Sequence, residues 1–207
     1  MNLYSKYILP HLIDLAMRNK EVTRQRAKII PPLQGSVLEV GIGSGLNLRF
    51  YSPHVTRLYA LEPSPELLRM AQPKAVNIPF PVDFLNESAQ QISLADQTVD
   101  NVVVTWVLCS IPDPLMALRE MKRVLRPEGK LVFIEHGLAS DVTVQAWQNW
   151  LNPLWQRMAG GCHLNRKIDD LISSAGFELT SLETMYLAGP RPLTYTYHGI
   201  GLPTGAV

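Results

Sequence analysis

Three glycines at alternate positions stand directly behind a short apolar run: Glu39-Val-Gly41-Ile-Gly43-Ser-Gly45, then Leu46 and Asn47. Glycine lets backbone turn through left-handed conformations and approach a ligand with no side chain between them. The N–H groups opening a following helix would then favour a negative group. A dinucleotide loop requires another glycine three residues after the second one. Leu46 stands there, so the pattern fits that fingerprint poorly. Glu62, followed by Pro63 and Ser64, ends the next apolar run, where a carboxylate can accept from both hydroxyls of a ribose. Glu87, with Ser88 and Ala89 after it, follows a third run, and Thr105 and Val107 close a fourth.

Other reactive side chains fall at similar places. Cys109 lies just past the fourth run and His136 just past a fifth, the positions from which either could reach a substrate. Both also read as ordinary structure, Cys109 as a small buried hydrophobe and His136 as a hydrogen-bonded turn residue. His163 stands beside Cys162, but two adjacent ligand types without others nearby make a poor metal site, and no metal is expected. Tyr4 and Tyr7 are candidates to close over a pocket from an N-terminal lid, with ordinary helix packing the favoured reading. Trp147, Trp150 and Trp155 read as core and pocket wall, because no basic residues interleave them as in a stacking platform for bases.

The elements that must position these residues alternate. Strand-like runs are expected at 37–40, 57–61, 80–85, 101–107 and 130–135. The 101–107 run is continuously apolar, as in a strand buried on both faces. Ser64-Pro65 and Asp113-Pro114 pair a capping side chain with a proline suited to the first helical turn. Such alternation indicates a parallel sheet covered by helices on both faces. Ahead of it, Ile8, Leu9, Leu12, Ile13, Ala16 and Met17 have helical spacing in a segment ending at Pro31-Pro32. A Trp-rich segment, 138–164, has helical spacing at Trp147, Trp150, Leu151 and Leu154. Residues 165–207 open on a helix with Asn165 as cap and Gly176 as stop. Runs 178–187 and 193–200 then form an antiparallel pair at one sheet edge.

The E-x-G-x-G-x-G motif resembles the S-adenosylmethionine-binding motif of class I methyltransferases. With 99–111 (VDNVVVTWVLCSI) and 125–130 (LRPEGK), the order of motifs resembles the UbiE-like branch over residues 37–135. The segment WQNWLNPLWQRMAGGCHLNR, with Glu135-His-Gly137, resembles the thiol methyltransferases of animals and their small bacterial relatives. The resemblance implies a Rossmann-like α/β fold, seven strands with the last antiparallel. It implies one methyltransferase domain over 1–207, with a lid at 1–35 and a substrate-side insertion at 138–164. It also implies S-adenosylmethionine as cofactor, held by Glu39, Gly41, Gly43, Gly45, Asn47, Glu62, Pro63, Ser64, Glu87, Ser88, Ala89, Thr105 and Val107. Glu87 would serve the adenine amino group. Tyr4, Tyr7, Cys109, His136, Trp155 and His163 are the substrate-side candidates.

Composition narrows the partners. A net charge of +1 over 207 residues argues against a nucleic-acid partner, and two distant cysteines argue for a reducing, cytoplasmic location. No apolar run approaches a membrane span, and Asp14 and Glu21 dilute the basic N-terminal cluster, so membrane contact is not expected. The 16 prolines stand mostly at element boundaries. A small, apolar acceptor, either a thiol or a quinone-like or lipid-like ring, suits this sequence. An NAD(P)-linked oxidoreductase and a non-catalytic cofactor-binding module are the rival readings. The residues leave the acceptor, any general base and the oligomeric state open.

Overall fold

A computed structural model describes residues 4–205. After a π-helical turn at Tyr4–Ile8 come α1 (Leu9–Ala16) and α2 (Lys20–Ile29). The sheet then begins with β1 (Gly35–Val40), β2 (Val55–Leu61), α3 (Pro65–Ala75), β3 (Val82–Leu85) and β4 (Val99–Thr105). It continues through α4 (Pro114–Val124), β5 (Leu125–His136), α5 (Val142–Met158) and α6 (Ile168–Ser174). The chain closes with β6 (Phe177–Tyr186), α7 (Arg191–Thr194) and β7 (Tyr195–Pro203).

The strands form one seven-stranded sheet in the order β3-β2-β1-β4-β5-β7-β6. β1 to β5 pair in parallel, while β7 runs antiparallel to both β5 and β6. Alternating side chains divide the core between the two faces. Val37, Val103 and Val132 meet Ile29 of α2 and Leu68 of α3 on one face. Leu38, Val102 and Leu131 meet Leu118 of α4 and Ile168 of α6 on the other. The central strand β4 is therefore apolar on both sides, as its sequence requires.

Three helix starts follow from capping. Asn19, Ser64 and Asp113 accept from the N–H groups of Val22, Leu67 and Met116 at 2.9, 3.3 and 2.9 Å. At the ends of β1 and β4 the chain order turns outward in opposite directions, the switch point where open α/β sheets bind ligands.

Several expectations need correction. The fourth strand stops at Thr105: Trp106 N–H still donates to Ile134 C=O of β5, but its φ of 56° then turns the chain out of the strand. The glycine loop leads only to a single 3-10 turn, Leu48–Phe50, too short to offer an α-helical N-terminus. Asn165 does not cap α6, whose N-cap is Lys167 without a side-chain bond; its amide donates to Asn149 instead. Pro73 and Pro153 stand inside α3 and α5 rather than at boundaries.

The Trp-rich helix α5 presents an unexpected face to the core. Trp147 and Trp150 are 54% and 72% exposed, while Gln148 is fully buried. Backbone demand explains the inversion. Gln148 accepts from Ala139 N–H and donates to the carbonyls of Gly137 and Pro192, and Asn152 accepts from Leu164 N–H. Leaving such buried backbone groups unpaired would cost about 1–3 kcal/mol each.

Candidate active site

A cavity of about 330 Å³ opens at the carboxyl ends of β1, β2 and β4. Glu39, Glu62 and Arg26 are the charged side chains among the described residues that line it.

The glycine loop forms its floor. Gly41, Gly43 and Gly45 have φ of 71°, 56° and 78°, a region that disfavours any side chain. They serve different purposes. A Cβ on Gly41 would lie 2.3 Å from Val107 Cγ2, and one on Gly45 would lie 2.8 Å from Leu48 and 3.1 Å from Ala71. Both positions allow close packing within the protein. At Gly43 a Cβ would meet nothing nearer than 3.9 Å, so this glycine leaves open space on the cavity side.

Several of the loop's amides are already engaged. Gly41 and Ile42 donate to Leu61 C=O, and Gly43 donates to Glu62 at 3.1 Å. Glu62 also accepts from Ser64 N–H at 3.0 Å, which fixes the carboxylate at the end of β2. Burial raises its pKa, partly opposed by these two amides. A carboxylate has about four acceptor sites, so both oxygens keep capacity for a diol.

Glu39 accepts from Asn47 at 2.8 Å and from the Tyr51 hydroxyl at 2.7 Å. Burial lifts its pKa to about 7 against those bonds and the nearby Arg26. Asn47 also donates to Thr105 at 3.1 Å, and its buried carbonyl oxygen has no partner. Arg26 donates to Met17 C=O at 2.7 Å and lies 5.2 Å from the centre of the Trp106 ring. Its buried Nε is unpaired, and burial lowers its pKa to about 10.

The N-terminal helices form a roof. Leu9, Pro10 and Ile13 of α1, with Met17, line the cavity. Asp14 of α1 reaches the glycine loop, where the Ser44 hydroxyl donates to it at 2.5 Å. Lys74 of α3 donates to Ser44 C=O at 2.5 Å and lies 3.8 Å from Asp14. Burial raises the Asp14 pKa, but Ser44, Arg18 and Lys74 outweigh it and the net shift is downward.

Of the residues expected from sequence, Glu39, Gly41, Gly43, Asn47, Glu62, Pro63, Ser64, Ser88, Ala89, Thr105 and Val107 all line this cavity. The structure places the others elsewhere. Gly45 packs against α3, and the Glu87 carboxylate turns to the N–H and hydroxyl of Ser93. Tyr4 donates to Met158 C=O, and Tyr7 is 55% exposed; neither lines the cavity. Cys109, His136, Trp155 and His163 also lie outside it. Cys109 is buried against Cys162, and His163 shares a hydrogen bond with Gln156 at 3.1 Å.

Arg26, Asp14 and Trp106 are not among the site residues expected from sequence. Arg26 belongs to the basic N-terminal cluster, where nothing in the spacing marks it as a site residue. Asp14 lies off the apolar stripe of α1, on the side of His11 and Arg18, so spacing alone does not point to it.

A family model for the methyltransferase domain matches residues 38–133. The thiol S-methyltransferase TMT1B of Rattus norvegicus is 36% identical over 193 residues, covering 87% of this chain and 78% of the relative. The human thiol S-methyltransferase TMT1A is 34% identical over 174 residues, covering 78% and 69%. A solved S-adenosylmethionine-dependent methyltransferase from Methanosarcina mazei superposes with a TM-score of 0.66 at 20% identity, covering 82% of this chain and 92% of that one. The fold is the Rossmann-like α/β fold of class I methyltransferases, with β7 as the antiparallel strand. The chain belongs to the S-adenosylmethionine-dependent methyltransferase family, and S-adenosylmethionine is its cofactor.

The residues present fit that cofactor. Open space at Gly43, the unpaired Arg26 Nε and the unpaired Asn47 oxygen are polar or empty positions on the cavity that a charged nucleoside derivative can satisfy. Among the described residues, no helix is long and apolar enough to cross a membrane.

Proposed function

We propose that this enzyme methylates a small, apolar acceptor, and that the acceptor group is a thiol. The observation that carries the reading is the mixed character of one cavity. Charged and polar groups gather at the strand ends, while Leu9, Ile13, Met17, Ile111, Pro112 and Ala159 supply apolar lining. Its volume falls within the usual range of small-molecule sites. The names of the two thiol S-methyltransferase relatives support the acceptor class.

The cofactor supplies an activated methyl group on a sulfonium. What remains for the protein is alignment and exclusion of water. In this reading Glu62 accepts from the ribose hydroxyls, Pro63 covers one face of the adenine, and Ser88 and Ala89 meet its polar edge. Thr105 and Val107 line the methionine arm. Arg26 takes the methionine carboxylate, a role the absent α-helical N-terminus cannot fill, and Glu39 with Asn47 faces the ammonium. The lid of α1 and α2 shuts water out. A thiol with a pKa near 8–9 is partly ionised at neutral pH, so the site needs no strong general base. A phenol or carbon acceptor would need one.

Calorimetry with S-adenosylhomocysteine tests the cofactor half of this reading. Micromolar binding, with none for NADH, is the expected result. Tight NADH binding without a response to S-adenosylhomocysteine would contradict it.

A further inference from the structure

Two thiols lie beside the cavity wall and have no part in the reading above. Cys162 Sγ is 3.3 Å from Cys109 Sγ. Cys109 belongs to the turn after β4, whose next residues, Ser110 and Ile111, line the cavity. Cys162 follows Ala159 and Gly160, which line it too. The two segments are already joined through backbone. His163 N–H donates to Cys109 C=O at 2.7 Å, and the Arg166 guanidinium donates to the carbonyls of Leu108 and Ile111.

The surroundings make the two sulfurs unequal. Cys109 is buried and Cys162 half-buried. Hydrogen bonding to Cys109, then the facing rings of His136 and Trp155, lower the Cys162 pKa despite burial. His136 is only 6% exposed, and its Nε2 and the Trp155 Nε1 have no hydrogen-bond partner. Cys109 shifts upward, through the same hydrogen bond and through burial. The accessible thiol is thus the better nucleophile, with a protonated thiol beside it. That division suits an attacking and a resolving cysteine.

We propose that Cys109 and Cys162 are a site of reversible oxidation, where a hydroperoxide joins them as a disulfide that braces the cavity wall. The Cys162 thiolate attacks one peroxide oxygen; the O–O bond breaks, hydroxide leaves, and sulfur becomes a sulfenic acid as the peroxide is reduced. The proton Cys162 had lost converts that hydroxide to water. Cys109 sulfur then attacks the sulfenic sulfur. The S–O bond breaks, and the hydroxyl leaves as water with the Cys109 proton. Two thiols and one hydrogen peroxide give one disulfide and two waters. Forming the bond closes the sulfurs from 3.3 Å to about 2.05 Å. A peroxide is small enough for the half-buried Cys162, and a small dithiol reverses the reaction. The bond would link residues 53 apart and restrain the unfolded chain accordingly.

The test treats the intact reduced protein with hydrogen peroxide and follows both thiols. The proposal expects intact mass to fall by about 2 Da, the two free thiols to vanish, and a non-reducing peptide map to join Cys109 to Cys162. The melting temperature should rise by roughly 4 °C or more, and dithiothreitol should restore the starting state. Cys109→Ser should stop at a sulfenic acid on Cys162 that dimedone traps, whereas Cys162→Ser should give neither product. Persistence of both thiols, oxygen addition without a cross-link, or a cross-link between separate chains would overturn the proposal. The wild-type peptide map decides this even if a variant fails to fold.

Discussion

Asp14 on α1 accepts a hydrogen bond from the Ser44 hydroxyl at the centre of the glycine loop, 2.5 Å away. The contact ties α1 to the glycine loop, with Lys74 bonded to the Ser44 carbonyl beside it. We read Asp14 as a latch between that helix and the loop. Asp14→Ala should loosen the roof and weaken S-adenosylhomocysteine binding by about 5–30-fold, on the order of 1–2 kcal/mol. Stopped-flow dissociation should place that loss mainly in a faster off-rate. An unchanged off-rate would remove the latch from the account.

Arg26 and Glu62 are assigned to opposite parts of the cofactor, which separates their variants. Arg26→Ala should weaken S-adenosylhomocysteine at least about tenfold yet leave 5′-methylthioadenosine unaffected, since that ligand has no carboxylate. Glu62→Ala should weaken both by about 30-fold or more, on the order of 2 kcal/mol. Calorimetry with the two ligands checks the pattern. Equal losses for both ligands in Arg26→Ala would contradict the assignment.

Gly41 and Gly43 offer a second separation. Gly41→Ala combines a left-handed φ with a 2.3 Å collision with Val107. It should destabilise the fold by about 2–5 kcal/mol. Gly43→Ala carries the strain without the collision, about 1–2 kcal/mol, but places a methyl on the cavity side. Thermal melts should therefore rank Gly41→Ala as the less stable variant. S-adenosylhomocysteine titration should show Gly43→Ala folded and binding at least about tenfold more weakly, about 1.4 kcal/mol.

The Glu39 pKa sets a pH dependence. Its native value, about 7, is raised above the usual 4.5 by burial. Between these values the native state holds the extra proton, so Glu39's contribution makes stability fall as pH rises through that window. Cofactor binding has the opposite sign, because the ionised carboxylate is the form that faces an ammonium. S-adenosylhomocysteine affinity should rise about tenfold from pH 6 to pH 8, and Glu39→Gln should flatten the profile. Affinity that falls over this range would refute the role of Glu39.

Much of the cavity lining was legible in the sequence because local chemistry sets it. Alternate glycines, an acid at a strand end and cap-proline pairs act over a few residues, and Glu39, Gly43 and Glu62 stand where those signals point. Features that depend on distant partners were not legible. Gln148 and Asn152 turn inward on α5 because they meet backbone groups at Ala139 and Leu164, while Trp147 and Trp150 turn outward. Arg26 reaches the cavity because α2 packs beside Trp106. Glu87 missed because Ser93 lies close enough to capture its carboxylate. No spacing rule joins Cys109 to Cys162, since the turn after β4 and the loop after α5 meet only in the fold.

The central claim, methyl transfer to a small thiol, is tested most directly by offering the enzyme S-adenosylmethionine with a panel of alkyl thiols, phenols and quinols. Mass spectrometry then identifies each methylated product. The account predicts S-methylation of alkyl thiols with stoichiometric S-adenosylhomocysteine release, and slow or absent turnover of the hydroxyl acceptors. Turnover of a phenol or quinol while every thiol stays inert would contradict it.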